Sequence, residues 1–261
     1  MERNLGCIPR VSFYIVRRLT TLLACLGALV AAAPAHGAIR EYGVNDSYPL
    51  VDPSCPTDCQ AIGRVTGFPV QINSKKNPML VNNPGTVVGF TVRLGSPSAE
   101  QTTFFSNLFG GEASVRLSVL QPWRTKRRHR LVAQSEVFNV QDYFGSSPTF
   151  ALKKPIRVGK RRILALTVPT WVPAFAVNQP ATTAWRFSRD NCDNAEESAA
   201  QQKIRSNQVY NCFKRTARPI YTVYFIRDPK KSTGSGSSKK PKVESYTFDG
   251  SSDPQTGGVQ P

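Results

Sequence analysis

Histidine is almost missing from this chain, which has only His36 and His129 in 261 residues. His36 is close to the N-terminus, and His129 stands among four cations in the run that begins at Lys126. Neighbouring positive charges disfavour a protonated imidazole, and no carboxylate is close in sequence to orient the ring. We therefore predict that the chain has no hydrolase triad, and we interpret His129 as part of a solvated hairpin turn.

The sequence also lacks the motifs of metal and nucleotide chemistry: HExxH, GxSxG, the P-loop and GxGxxG are all absent. We expect no cofactor and no metal site. Paired carboxylates leave a glycan-cleaving enzyme open, because their approach in space cannot be seen in a sequence. The acidic candidates are Glu100, Glu112, Glu136, Asp142 and Asp190.

Long hydrophobic runs are missing too, apart from residues 19–33, which fall short of the roughly 20 that a membrane span needs. Four arginines precede this run, and small residues follow it up to Ala38. This order predicts a signal peptide over residues 1–37, a secreted or cell-surface protein and no transmembrane segment. Arg17 and Arg18 leave a twin-arginine route open, and Cys25 leaves a lipoprotein signal open.

Acidic residues are half as numerous as basic ones, 17 against 34. Residues 1–37 carry four arginines and one glutamate, so their removal changes the net charge only from +17 to +14. Residues 228–261 are rich in Lys, Ser and Gly and predict a disordered basic and polar tail. Residues 38–62 are polar and rich in turn residues, which predicts an irregular N-terminal arm.

Four cysteines remain after the leader: Cys55, Cys59, Cys192 and Cys212. An even number in an exported chain favours two disulfides over a zinc site, which needs close pairs at both ends. Local pairing, Cys55 with Cys59 and Cys192 with Cys212, closes the shorter loops, so we favour it over the crossed arrangements.

Residues 63–227 show nine short runs of β-branched and aromatic residues, separated by Gly, Pro and Asn. Such runs predict an all-β fold, a jelly-roll-like β-sandwich. One short helix is expected after Ser98, because Ser98 and Gln101 form a capping box and Gly110 and Gly111 supply a stop. The last run, residues 220–227, is apolar on both faces and predicts a central strand. The predicted strands are residues 63–72, 79–81, 86–94, 113–120, 130–135, 149–152, 162–168, 183–188 and 220–227.

Aromatic and basic residues supply the candidate binding site. A turn near residue 125 combines one tryptophan with five cations, which exceeds what solubility requires and predicts a polyanion contact, with an ordinary solvated hairpin as the alternative. Two further tryptophans stand in apolar sequence, where core packing is the alternative to stacking on a ligand. The candidates are Trp123, Arg124, Lys126, Arg127, Arg128, Arg130, Trp171 and Trp185.

Three segments follow one another in a fixed order: a strand that begins at a glycine turn (residues 85–95), a strand that leads into a basic hairpin (114–120), and a strand, a proline, another strand and a Gly-Lys turn (149–160). In this the chain resembles a group of exported actinobacterial β-sandwich proteins of unknown function, and it is similar in strand rhythm to jelly-roll carbohydrate-binding modules. The resemblance covers residues 63–227. It implies a fold and no functional residues.

These observations predict an exported, non-enzymatic binding module for a cell-wall or extracellular glycan or another anionic envelope polymer. The alternatives are a structural or protein-interaction surface protein and, third, a glycan-cleaving enzyme. Export argues against nucleic acid as the natural partner, although the charge would attract it.

Overall fold

The computed structural model describes residues 38–43, 51–125 and 127–229. The predicted signal peptide, Lys126 and residues 230–261 of the predicted tail lie outside these ranges. Within them there are sixteen strands, one α-helix, α1 (Ala99–Phe109), and one 3-10 turn (Gln141–Tyr143). The strands are β1 (Ile39–Tyr42), β2 (Ile62–Ile72), β3 (Lys75–Lys76), β4 (Leu80–Val81), β5 (Gly85–Val92), β6 (Ser114–Pro122), β7 (Arg128–Gln134), β8 (Phe138–Asn139), β9 (Thr149–Val158), β10 (Arg162–Val172), β11 (Phe175–Ala176), β12 (Ala184–Phe187), β13 (Asn207–Val209), β14 (Cys212–Arg215), β15 (Arg218–Pro219) and β16 (Tyr221–Arg227).

Two antiparallel sheets enclose the core. The smaller has the order β1-β16-β5-β9, and the larger follows β13-β7-β6-β10-β2-β12-β14, with β3, β4 and β8 paired beside it; β11 and β15 form a separate pair. Side chains from both sheets share one apolar cluster, and the Tyr221 hydroxyl of β16 donates to the Leu164 carbonyl of β10 at 2.9 Å. The predicted all-β sandwich with one helix is confirmed, and each of the nine predicted runs overlaps a strand.

Strand β16 lies inside the smaller sheet, between β1 and β5, as its apolar faces predict. Tyr221, Val223 and Phe225 point into the core and are at most 2 % exposed. Residues with apolar side chains on both faces fit this position because neighbouring strands and the facing sheet cover them.

Strand β5 departs from simple alternation at Val88. Alternation predicts that Val88 points inward with Phe90 and Val92, but Val87 is fully buried and Val88 is only half-buried. The pairings with β9 and β16 both shift register between Val87 and Gly89. A bulge at Val88 therefore reverses which side chains face inward before this point.

Helix α1 begins and ends where its flanking residues predict. Gln101 N–H donates to Ser98 Oγ at 3.2 Å, and Ser98 N–H donates to Gln101 Oε1 at 2.8 Å, which completes the capping box. Gly110 ends the helix with a φ of 80°. Phe105 is buried, whereas the adjacent Phe104 is 59 % exposed, because neighbouring positions on a helix cannot share one face.

The N-terminal arm is less irregular than predicted. Ile39–Tyr42 form β1, which pairs antiparallel with β16. The arm carries the Cys55–Cys59 disulfide, and Cys192 pairs with Cys212, so the predicted local pairing is confirmed. At the other end, Nη1 and Nη2 of Arg157 each donate to a carboxylate oxygen of Asp228 at 2.5 Å, which fixes this first residue of the predicted tail to β9.

Candidate functional site

Strands β6 and β7 form a hairpin whose turn carries most of the predicted binding residues. Trp123 N–H donates to the Arg128 carbonyl at 2.9 Å, and Arg128 N–H donates to the Thr125 carbonyl at 3.2 Å. Arg127 has a φ of 66°, in the left-handed region that reverses the chain. Of the predicted residues, Trp123, Arg124, Arg127 and Arg128 are exposed and Arg130 is half-buried.

Trp123 is the tryptophan that the structure leaves open to solvent, with 38 % of its surface exposed. The guanidinium carbon of Arg130 lies 5.6 Å from the centroid of its ring. This distance is a cation–π contact, which holds both side chains in place at the base of the turn.

Tyr210 connects this hairpin to strand β12. Its backbone N–H donates to the Arg127 carbonyl at 2.9 Å, and its carbonyl accepts a bond from Arg186 Nη1 at 2.8 Å. The pKa of Arg186 is lowered, first by burial and then by the positive charge of Arg127. Two arginines that are distant in sequence are therefore close in space.

Phe213 on the edge strand β14 extends the same surface. It lies directly opposite Arg186 on β12, so the two side chains share one face. The guanidinium carbons of Arg186 and Arg215 lie 5.3 and 5.5 Å from its ring centroid, and the ring is 42 % exposed. We define the arginine surface as Trp123, Arg124, Arg127, Arg128, Arg130, Arg186, Phe213 and Arg215.

The arginine surface has little negative charge to balance it. In the part of the chain that the structure describes, the two ion pairs within 4 Å join Arg93 to Asp52 and Arg157 to Asp228. Neither pair includes a residue of the arginine surface. Its six guanidinium groups thus produce a positive field that no carboxylate of residues 38–43, 51–125 or 127–229 offsets by direct pairing.

His129 does not lie in a solvated turn, as the sequence predicted. It is 7 % exposed, and its ring meets Phe68 at 5.5 Å and Tyr210 at 4.8 Å, both edge to face. Burial lowers its pKa to about 4, partly offset by the bond of its ring with the Arg127 carbonyl. The prediction was wrong because Phe68 and Tyr210 pack on the ring and β13 pairs with this part of β7, with Gln208 opposite His129.

Trp171 and Trp185 are buried in the core, which is the alternative that the sequence left open for them, and neither presents its ring on the outer surface. Trp171 is fully buried, donates from Nε1 to the Gly111 carbonyl at 3.0 Å and packs 5.2 Å from Phe105. Trp185 is 5 % exposed and stacks 4.3 Å from Phe187. The apolar residues next to each tryptophan in the sequence correctly indicated core packing.

The carboxylates of three of the acidic candidates accept hydrogen bonds from other residues of the chain. Glu100 accepts from Ser98 Oγ at 2.7 Å, which lowers its pKa, and Glu136 accepts from Lys153 N–H at 3.1 Å. Glu112 accepts from the Asn139 amide. Among the described residues, no three His, Cys, Asp or Glu side chains are grouped as metal ligands, and no helix combines the length and apolar character of a membrane span.

Sequence reasoning missed Arg186, Phe213 and Arg215. The one available signal was the alternation of Phe213 and Arg215, but it covers only four residues, and the pairing with β12 depends on the whole sheet.

No protein-family model matches the chain and no curated protein matches it, so the assignment of the arginine surface depends on its own geometry and charge.

Proposed function

We propose that this protein is an exported, non-enzymatic binding module whose arginine surface holds an anionic polymer of the cell envelope or extracellular space. A glycan that carries carboxylate or phosphate groups is the ligand class that fits. One observation carries the proposal: six arginines and two exposed aromatic rings form one surface, and none of the carboxylates that the structure describes is paired with it. The two disulfides support an extracellular location, because disulfides persist in oxidising compartments.

Arginine suits this ligand better than lysine does. Its planar guanidinium binds the two oxygens of a carboxylate or phosphate at once, and it is weakly hydrated. Arg130 against Trp123, and Arg186 and Arg215 against Phe213, are each positioned by an aromatic ring. Positioned donors lose less side-chain entropy on binding, and a polymer can meet several of them together.

Binding to polygalacturonate, polyphosphate and neutral dextran tests this function with the purified chain. We expect both polyanions to bind and dextran not to bind, with an affinity that falls steeply as salt rises. Replacing Arg127 and Arg128 by Gln should weaken polyanion binding about tenfold at low salt. The matched control replaces Lys153 and Lys154, two exposed cations of β9, by Gln.

The control removes the same charge from another surface, so it separates a site from a general charge effect. If both double variants weaken binding equally, or if dextran binds as well as the polyanions, the proposed function is wrong. Preference for polyphosphate or polygalacturonate identifies the anionic group.

A further inference from the structure

A pocket of about 140 Å³ opens on the inner face of β12 and β14, opposite the arginine surface. On this face Trp185 lies across from Lys214, and Phe187 lies across from Cys212. The underlying strand has Gly67, where a Cβ would lie 2.6 Å from Cζ3 of Trp185. Glycine at this position therefore lets the indole lie directly on β2.

Aromatic rings form the walls of this pocket. Trp185 stacks on Phe187 with an angle of 20° between the rings, and Phe175 meets Trp185 edge to face at 5.2 Å. An apolar cavity of about 150 Å³ in another protein is large enough to hold benzene. The volume of this pocket is similar, and the side formed by Trp185, Phe187 and Phe175 fits one aromatic ring, while Gln60, Arg189 and Lys214 supply polar groups around it.

Positive charge surrounds the same rings. Lys214 Nζ lies 5.7 Å from the centroid of Phe175 and 3.5 Å from Gln60 Oε1, and the side chain is exposed. The guanidinium carbon of Arg189 lies 6.0 Å from the centroid of Phe187. Burial lowers the pKa of Arg189, and the charge of Glu197 offsets this only in part; Glu197 does not line the pocket, and none of the lining residues is a carboxylate.

Two residues that line the pocket also carry buried hydrogen-bond donors. Trp185 Nε1 and Arg189 Nε are buried, and neither has an acceptor among the described residues. Buried donors without acceptors are uncommon, and together with Lys214 they give this end of the core a positive potential. A ligand that enters it is favoured if it brings oxygen acceptors and negative charge.

We propose that this pocket binds a small organic carboxylate with one aromatic ring. The ring packs against Trp185 and Phe175, and the carboxylate lies at the mouth, next to Lys214. The site is on the opposite sheet face from the arginine surface and does not depend on the function proposed above.

Titration of the purified chain with phenylacetate, followed by the indole N–H signals in NMR spectra, tests the proposal. The Trp185 signal should shift, while those of Trp123 and Trp171 stay in place. Phenylacetate should bind about tenfold more tightly than phenylethylamine, which has a similar ring and the opposite charge. A shift at Trp123 without one at Trp185, equal affinity for the two compounds, or no binding would each overturn the proposal.

Two variants sharpen this test. Lys214→Met keeps the length of the side chain and should reduce the preference for phenylacetate to within about twofold, because the nearest charge is lost. Lys160→Met, in the exposed turn before β10, is the matched control and should leave the preference unchanged. Ala61→Leu fills the pocket from a half-buried lining position and should abolish binding while thermal unfolding stays cooperative. Binding that survives both Lys214→Met and Ala61→Leu places the ligand elsewhere and contradicts the site.

Discussion

Strands β12 and β14 carry aromatic rings and cations on both faces, but the two faces use them in opposite ways. On the outer face, arginines flank Phe213, which stays 42 % exposed. On the inner face, Trp185 and Phe187 are buried in the core, and Lys214 remains at the rim. Adjacent residues such as Trp185 and Arg186 thus have different roles because strand side chains alternate between faces.

This comparison shows that burial, more than residue type, decides what an aromatic–cation pair does. In the core, the ring stabilises the fold through buried area and packing. At the surface, the same chemistry adds little stability but leaves a positioned guanidinium free for a ligand. Substitutions on the two faces should therefore separate stability from binding.

The largest difference is expected in stability. Trp185→Ala should lower the free energy of unfolding by about 3–5 kcal/mol, because it leaves a cavity in the core. Phe213→Ala, on the neighbouring strand, should change it by less than about 1 kcal/mol. Urea denaturation of both variants measures this contrast. Equal losses would contradict the assignment of the two faces.

Acid should destabilise the layer beneath the arginine surface through His129. Its pKa in the folded state, about 4, is below the usual value of about 6.5, so the unfolded state binds the proton first as the pH falls. His129 therefore costs no stability above pH 6.5, and stability is lost progressively between pH 6.5 and 4, by about 3 kcal/mol in total.

His129→Phe removes this titration while keeping a ring against Phe68 and Tyr210. The difference in unfolding free energy between the parent chain and this variant, measured from pH 7 to pH 4, isolates His129 from the carboxylates that titrate in both. A difference that does not change with pH would show that the imidazole is accessible to solvent in the folded state.

The smallest effect on stability is expected at two neighbouring cations, Lys214 and Arg215. Both are exposed, so neither Lys214→Met nor Arg215→Gln should change the unfolding free energy by more than about 0.5 kcal/mol. Their effects on binding should differ, because they lie on opposite faces. Arg215→Gln should weaken polyphosphate binding and leave phenylacetate unaffected, and Lys214→Met should do the reverse. Calorimetric titration of each variant with both ligands measures this. A variant that weakens the binding of both ligands would contradict two separate sites.

The fold was largely readable in the sequence because its determinants are local. Runs of β-branched and aromatic residues predicted the long strands, and Ser98 with Gln101 predicted the start of the helix. Loop closure favoured the correct disulfide pairs. Four short strands, β11 and β13–β15, were not predicted, because two to four residues show too little of a periodic pattern and their pairing depends on the strand beside them.

The candidate site was only half predictable. The hairpin residues Trp123, Arg127 and Arg128 are close in sequence, so the order of the amino acids is enough to show that they accumulate in one turn. Arg186 and Phe213 join them only because Tyr210 bonds to both Arg127 and Arg186 and because β14 pairs with β12. The burial of His129 was not predictable either. Its neighbours in sequence are polar and do not indicate that β13 and Tyr210 lie against it.

Sequence alone was therefore enough for the longer strands, the helix cap, the basic turn and the disulfide partners, which depend on residues close in sequence, four positions apart for Cys55–Cys59 and 20 for Cys192–Cys212. Only the tertiary structure decided which tryptophan stays exposed, which arginines meet, and that a pocket opens behind them. The physical reason is that exposure and the addition of charges depend on distances in space, and these are set by strand pairing between segments that are far apart in the chain.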